Sequence, residues 1–131
     1  MRQRVAVFVF DGKNVLLLHR RKHGKEYYAV PGGGVEEGET EEYAAVRELR
    51  EETSLDIVLG EKIGSLAAND ASESFYVAES WVGTPKLGGP EAERNSPENF
   101  YELEWVPIER LGSLPFREEI RALLFSFVSR Q

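Results

Sequence analysis

Glu48, Glu51 and Glu52 stand at positions i, i+3 and i+4, and on a helix of 3.6 residues per turn that spacing puts three carboxylates on one face. Like charges at such close quarters repel and raise one another's pKa, and a divalent cation among them relieves the repulsion. The chain contains no cysteine and only two histidines, His19 and His23. A metal site is therefore expected to be built mainly from oxygen, which suits Mg2+, with Mn2+ possible, and argues against zinc. A cation held between carboxylates could receive a phosphate. The plain alternative is a solvated acidic helix face, the common use of a charge run.

The charge distribution narrows the choice of partner. The formal charge is -7, and the nine acids between Glu36 and Asp56, set against Arg47 and Arg50, account for all of it, leaving 14 acids and 14 bases elsewhere. A net acidic chain argues against a nucleic-acid polymer as the main partner, since such binding leans on clustered Lys and Arg. The apolar run Val5 to Phe10 stops at Asp11-Gly12, far short of the roughly 18 apolar residues of a membrane span. The expectation is a soluble protein with no membrane partner, a monomer or homodimer, and the absence of cysteine fits a cytoplasmic location. Length and apolar content predict a single domain over residues 1–131.

The elements that must position the carboxylates follow from patterning. Val5 to Phe10 reads as a wholly apolar strand, Asp11 to Asn14 as a turn and Val15 to Leu18 as a returning strand, together a hairpin. Arg20 to Glu26 reads as a polar loop and Tyr27 to Val30 as a short strand before Pro31. A helix is predicted from Thr40, its N-cap, to about Thr53, with two glutamates in the first turn where the helix dipole favours them. Ile57 to Leu59, Ile63 to Ala67, Phe75 to Val82 and Phe100 to Val106 read as strands, and Thr84 to Asn99 as a long loop. A helical turn after Pro107 and an amphipathic helix after Pro115 close the chain. Helices packed on a mixed sheet give an α/β or α+β fold.

The 23 residues Gly33 to Leu55 closely resemble the Nudix box. Gly33, Glu39, Arg47, Glu48, Leu49, Glu51, Glu52 and Leu55 all fall in its register, and only Ser54 departs, standing where the signature has glycine. The preceding hairpin and Tyr28 to Gly32 also look like that family's approach to the box. The loop is neither a P-loop, lacking a Gly-Lys-Ser/Thr ending, nor a dinucleotide fingerprint.

The resemblance implies a Nudix-type α/β/α sandwich, with a mixed sheet between helices. It implies a Mg-dependent hydrolase that cuts a phosphoanhydride bond in a nucleoside diphosphate linked to another group. The partner would be a small nucleotide, and the compact chain looks like the (d)NTP pyrophosphohydrolase branch; ADP-ribose and nucleotide sugars are alternative substrates. Family markers, a proline or a tyrosine fifteen to eighteen residues past the box, are absent from the window Asn69-Asp70-Ala71-Ser72. By the same resemblance the Gly32 carbonyl and the carboxylates of Glu48, Glu51 and Glu52 would hold the metal, and Glu48 would also orient or deprotonate the attacking water. Glu52 is placed with Glu48 as catalytic, and Glu39 and Arg47 as braces. Tyr28 is a candidate to stack on the base, or is a core aromatic. Glu91, in a loop where the family often completes its set, is a candidate catalytic carboxylate, with Arg94 a candidate phosphate ligand; the other reading is an acidic loop tip. A silent nucleotide-binding sensor and an acidic interaction module are the competing functional classes.

Overall fold

The computed structural model describes residues 2–68 and 70–131, apart from the side chains of Ala68, Pro90 and Glu91. Among the described residues, eight strands form two sheets. The first has the order β5 (Gly32–Gly34), β1 (Arg2–Phe8), β7 (Ala71–Val82), β6 (Asp56–Ala68). It is mixed: β1 runs parallel to β7 and antiparallel to β5, while β6 and β7 are antiparallel. In the second sheet β3 (Asn14–Lys22) is central. It pairs with β2 (Phe10–Asp11) and β4 (Lys25–Ala29), and with β8 (Asn99–Pro107).

The Val5–Phe8 half of β1 is apolar and buried because both of its faces are covered, as expected of a strand with a parallel neighbour inside a layered fold. Val5 and Val7 pack with Ala44, Ala45 and Leu49 of helix α1 (Glu41–Thr53). Ala6 and Phe8 pack with Ile120 and Leu124 of α3 (Glu118–Ser129). Two cores thus flank the sheets, one under each helix, in the expected α/β/α arrangement. No described helix is long and apolar enough to cross a membrane.

The expected hairpin between Val5–Phe10 and Val15–Leu18 is not formed as such. The strand breaks at Val9: residues to Phe8 belong to the first sheet, and Phe10 and Asp11 pair with Val15 and Asn14 in the second. Alternation identifies a strand but not its partner, and an apolar strand buried on both faces finds central neighbours. Arg20 to Glu26, expected as a loop, is mostly strand, since β3 and β4 continue to a turn at His23-Gly24, both at positive φ. The two strands expected at Ile57–Leu59 and Ile63–Ala67 are one, with register shifts between Val58 and Gly64. There a bulge absorbs the extra residues that read as a turn. Within the expected Thr84–Asn99 loop lies a six-residue helix, α2 (Gly89–Arg94).

Candidate active site

Helix α1 starts as its sequence dictates. Thr40 Oγ1 accepts the Tyr43 N–H at 3.1 Å, and Glu41 and Glu42 occupy the first turn. The opposite end closes on Ser54 in the left-handed region at φ 66, its N–H donating to the Arg50 carbonyl at 3.0 Å. Between these ends Leu49 and the two alanines face the core. That orientation turns Glu48, Glu51 and Glu52 toward β5 and the cleft beside it.

The glycines of β5 let the helix come this close. β5 pairs with β1 through Gly32 opposite Ala6 and Gly33 opposite Val5. A Cβ on Gly32 would stand 2.0 Å from the Val5 carbonyl oxygen, and one on Gly33 would stand 2.4 Å from the Glu48 carboxylate. The strand is therefore a bare backbone ledge against which a carboxylate rests. Glu52 is only 6% exposed, and its Oε1 accepts the Gly32 N–H at 3.3 Å.

Arg47 organises the acidic side. Its Nε and Nη2 donate to the two oxygens of Glu39 at 2.6 and 2.8 Å, and Nη2 also reaches the Gly34 carbonyl at 3.1 Å. Nη1 donates to Glu48 Oε1 and Glu51 Oε2, both at 3.0 Å. The hydrogen bonds from Arg47, with that from the Glu36 N–H, hold the Glu39 carboxyl below the ordinary carboxylate range. The same partners raise the Arg47 guanidinium, Glu39 foremost. One bidentate cation thus fixes the loop to the helix and turns two carboxylates of the cleft.

The cleft encloses about 610 Å³ and is lined by Gly32, Glu48, Glu51 and Glu52 on one side and by Arg4, Arg20, Arg94, Tyr27 and Tyr101 around it. Arg20 lies over the Tyr101 ring at 3.8 Å and donates to the Tyr27 hydroxyl at 3.0 Å and to Asn99 Oδ1 at 2.7 Å. Arg94 reaches the cleft because the segment before α2 is tied to the end of α1. Lys86 and Gly88 N–H groups donate to the Thr53 and Glu52 carbonyls at 2.8 and 3.0 Å. A Cβ on Gly88 would stand 2.4 Å from the Glu51 carbonyl oxygen.

Gly32, Glu48, Glu51, Glu52 and Arg94, all anticipated from sequence, line one cleft. Tyr28 does not line it. Its side chain is 8% exposed, lies in the core under α3 and stacks on His19 at 4.5 Å. Strand alternation gives the cleft to its neighbour Tyr27. The Glu91 side chain lies outside the described residues; the helix that carries it contributes Gly89 and Arg94 to the cleft. Arg20, Tyr27 and Tyr101 are cleft residues that the sequence reading passed over. Reading β3 as continuing past Leu18 would have placed Arg20 on the same face as Leu18.

The donor set facing the cleft is entirely oxygen, three carboxylates and the carbonyl of Gly32, a position where strand backbone leaves no room for a side chain. It fits a hard divalent cation such as Mg2+. The surrounding arginines suit the phosphates of an anionic ligand.

The family model described as the NUDIX domain matches residues 1–127. An ADP-ribose pyrophosphatase of Methanocaldococcus jannaschii is 32% identical over 113 residues, which are 85% of this chain and 65% of that protein. An 8-oxo-(d)GTP phosphatase of Mycolicibacterium smegmatis is 29% identical over 117 residues, 88% of this chain and 34% of that protein. The chain thus spans between about a third and two thirds of the length of these relatives. Among solved structures, a MutT structure from work on Aliivibrio salmonicida and Vibrio cholerae superposes with a TM-score of 0.76 at 23% identity. That match covers 99% of this chain and 98% of the other. With the family model matched over nearly its whole length and the box carboxylates gathered at one cleft, this chain belongs to the NUDIX domain family.

Proposed function

We propose that this protein is a Mg-dependent hydrolase, with Mn2+ as an alternative ion, acting on a phosphoanhydride bond in a nucleoside diphosphate linked to another group. The observation that carries the reading is the convergence of Glu48, Glu51, Glu52 and the Gly32 strand with Arg4, Arg20 and Arg94 on one cleft. An acidic interaction module has no need of a glycine ledge or of basic groups facing its carboxylates. Gly32, Glu48, Glu51 and Glu52 would hold the metal, which when bound cancels substrate charge and lowers the pKa of water.

The chain's own residues do the rest. Arg4, Arg20 and Arg94 bind the phosphates and set the anhydride beside the carboxylates. Arg20 is pre-organised for this by Tyr27, Tyr101 and Asn99. Glu48 accepts a proton from, or orients, the attacking water, with its carboxylate turned by Arg47. Glu52, nearly buried beside Gly32, would hold the cation close to the anhydride, where its positive charge would offset the negative charge that develops on the phosphate oxygens. Glu91, carried by the helix that brings Arg94 to the cleft, would supply a further carboxylate.

Within this class a nucleoside triphosphate is the favoured substrate, because a ring of arginines facing carboxylates suits a chain of phosphates. The likeness to a protein named ADP-ribose pyrophosphatase supports ADP-ribose or a nucleotide sugar as the second reading. Product release from a panel of (d)NTPs, ADP-ribose and nucleotide sugars, with Mg2+ and with excess EDTA, tests the proposal. Turnover only with the metal supports it. Tight nucleotide binding without turnover of any member would identify a nucleotide sensor instead.

A further inference from the structure

The reverse side of the strands that wall the cleft carries a second set of metal-ligating groups. On β3 and β8, Leu18, Arg20 and Tyr101 face the cleft, so alternation turns His19, Glu102 and Glu104 to the other face. His19 stands directly opposite Glu102 in the β3–β8 register. One ligand atom from each of His19, Glu102 and Glu104 lies within 4.8 Å of the other two.

The imidazole is held as a ligand is held. It stacks on Tyr28 at 4.5 Å with an interplanar angle of 3° and meets Phe100 edge-on at 5.8 Å, so the ring is fixed. Nδ1 lies 2.7 Å from Glu104 Oε2, while Nε2, shut off from solvent, lies 3.5 Å from Glu26 Oε2 without a hydrogen bond. Adjacent ligand atoms on one ion, each bonded at about 2.0–2.2 Å, stand roughly 3 Å apart. An opening of a few tenths of an ångström between Nδ1 and Glu104 would therefore admit an ion. Glu26 sits where a carboxylate commonly orients a metal-bound histidine through its other nitrogen.

Charge points the same way. Glu26, Glu102 and Glu104 surround a single imidazole. Arg21, 4.5 Å from the Phe100 ring, and Arg110 also lie near this face. Neither is an ion-pair partner of these carboxylates among the described residues.

We propose that His19, Glu102 and Glu104 form a second metal site, taking a borderline divalent ion such as zinc in preference to Mg2+ and tying β3 to β8 behind the Arg20–Tyr101 wall of the cleft. A mixed imidazole and carboxylate set suits such ions. The chain's scarcity of histidine argues against zinc only until the fold sets its one β3 histidine between acidic neighbours.

The test uses full-length protein stripped of metal, held in excess Mg2+, labelled with 15N in its histidine rings and titrated with Zn2+. His23→Gln leaves His19 as the sole histidine, and the box carboxylates offer no imidazole, so zinc taken up there leaves the ring signals unmoved. The expected result is a shift of the His19 Nδ1 resonance complete at one equivalent, with binding at least tenfold weaker in Glu102→Gln, whose exposed side chain can be changed without disturbing the fold. An Nδ1 resonance unmoved through several equivalents, or affinity in Glu102→Gln and Glu104→Gln equal to that of the protein with both glutamates, would overturn the site and leave a plain ion pair between His19 and Glu104. Because the readout is at His19, its failure would leave the hydrolase reading untouched.

Discussion

Arg47 donates to both carboxylate oxygens of Glu39, at 2.6 and 2.8 Å, across the join between the glycine loop and α1. The contact fixes where the helix sits and, through Nη1, which way Glu48 and Glu51 turn. Because these hydrogen bonds depress the Glu39 pKa from its ordinary 4.5, the stability they give is complete above the carboxylate range. It is lost as pH falls through the lowered folded value. Glu39→Gln should therefore be less stable than wild type at neutral pH, with the gap closing in acid. Urea unfolding of both proteins from about pH 7 to pH 3 measures it, and a gap that stays constant would contradict the pairing.

Gly32 and Gly33 should fail in different ways when changed to alanine. The Gly32 Cβ would meet β1 backbone at 2.0 Å, which only movement of a strand can relieve, so Gly32→Ala should cost on the order of 1–3 kcal/mol or more. The Gly33 Cβ would meet the end of the Glu48 side chain at 2.4 Å, which can swing away. Gly33→Ala should keep the fold and lose on the order of 10²-fold in kcat through a misplaced carboxylate. Thermal melts beside steady-state kinetics check the split, and an active Gly33→Ala would release Glu48 from its assigned place.

At Ser54 two terms oppose each other. The residue is left-handed at φ 66, where glycine gains about 1 kcal/mol. Its hydroxyl, however, donates to the Lys86 carbonyl at 2.9 Å, worth about 0.5–1.5 kcal/mol. Ser54→Gly should be near neutral. Ser54→Ala, which keeps the backbone cost and loses the hydrogen bond, should be less stable than Ser54→Gly by about 1 kcal/mol. Equal melting temperatures for the two variants would show that φ is relaxed in alanine.

Two acids, Glu91 and Glu93, lie on α2, which brings Gly89 and Arg94 to the cleft, and of the two it is Glu91 that stands at the i, i+3 spacing to Arg94. Glu102 pairs opposite His19 on the far face. Glu91→Gln should lower kcat by more than tenfold at saturating Mg2+, and Glu102→Gln should leave it unchanged. The opposite order would mean that the second carboxylate reaches the site from β8.

Helix α1 was legible in the sequence because three signals coincide there: a capping threonine, a core stripe at Ala45 and Leu49, and three glutamates in register with Gly33 and Arg47. The partners of β1 were not, since strand pairing is set by packing on both faces and not by the strand's own pattern. Tyr27 and Tyr28 show the finer limit. One residue of register decides which ring enters the cleft, and that register is fixed by β3, a strand whose charged end at Arg20 to Lys22 reads as loop when its own sequence is taken alone. Arg4, Arg20 and Tyr101 come from three strands, and only the fold sets them around one cleft.

The most direct test of the central claim is kcat for Glu52→Gln on whichever substrate the wild type turns over, at saturating Mg2+, with a melting curve on the same sample. Glu52 is 6% exposed, beside Gly32, and Gln preserves its shape while removing its charge. The expected result is a folded protein with kcat lower by on the order of 10² or more. A folded Glu52→Gln variant with wild-type turnover, or a wild type fully active in excess EDTA, would contradict catalysis by this carboxylate face.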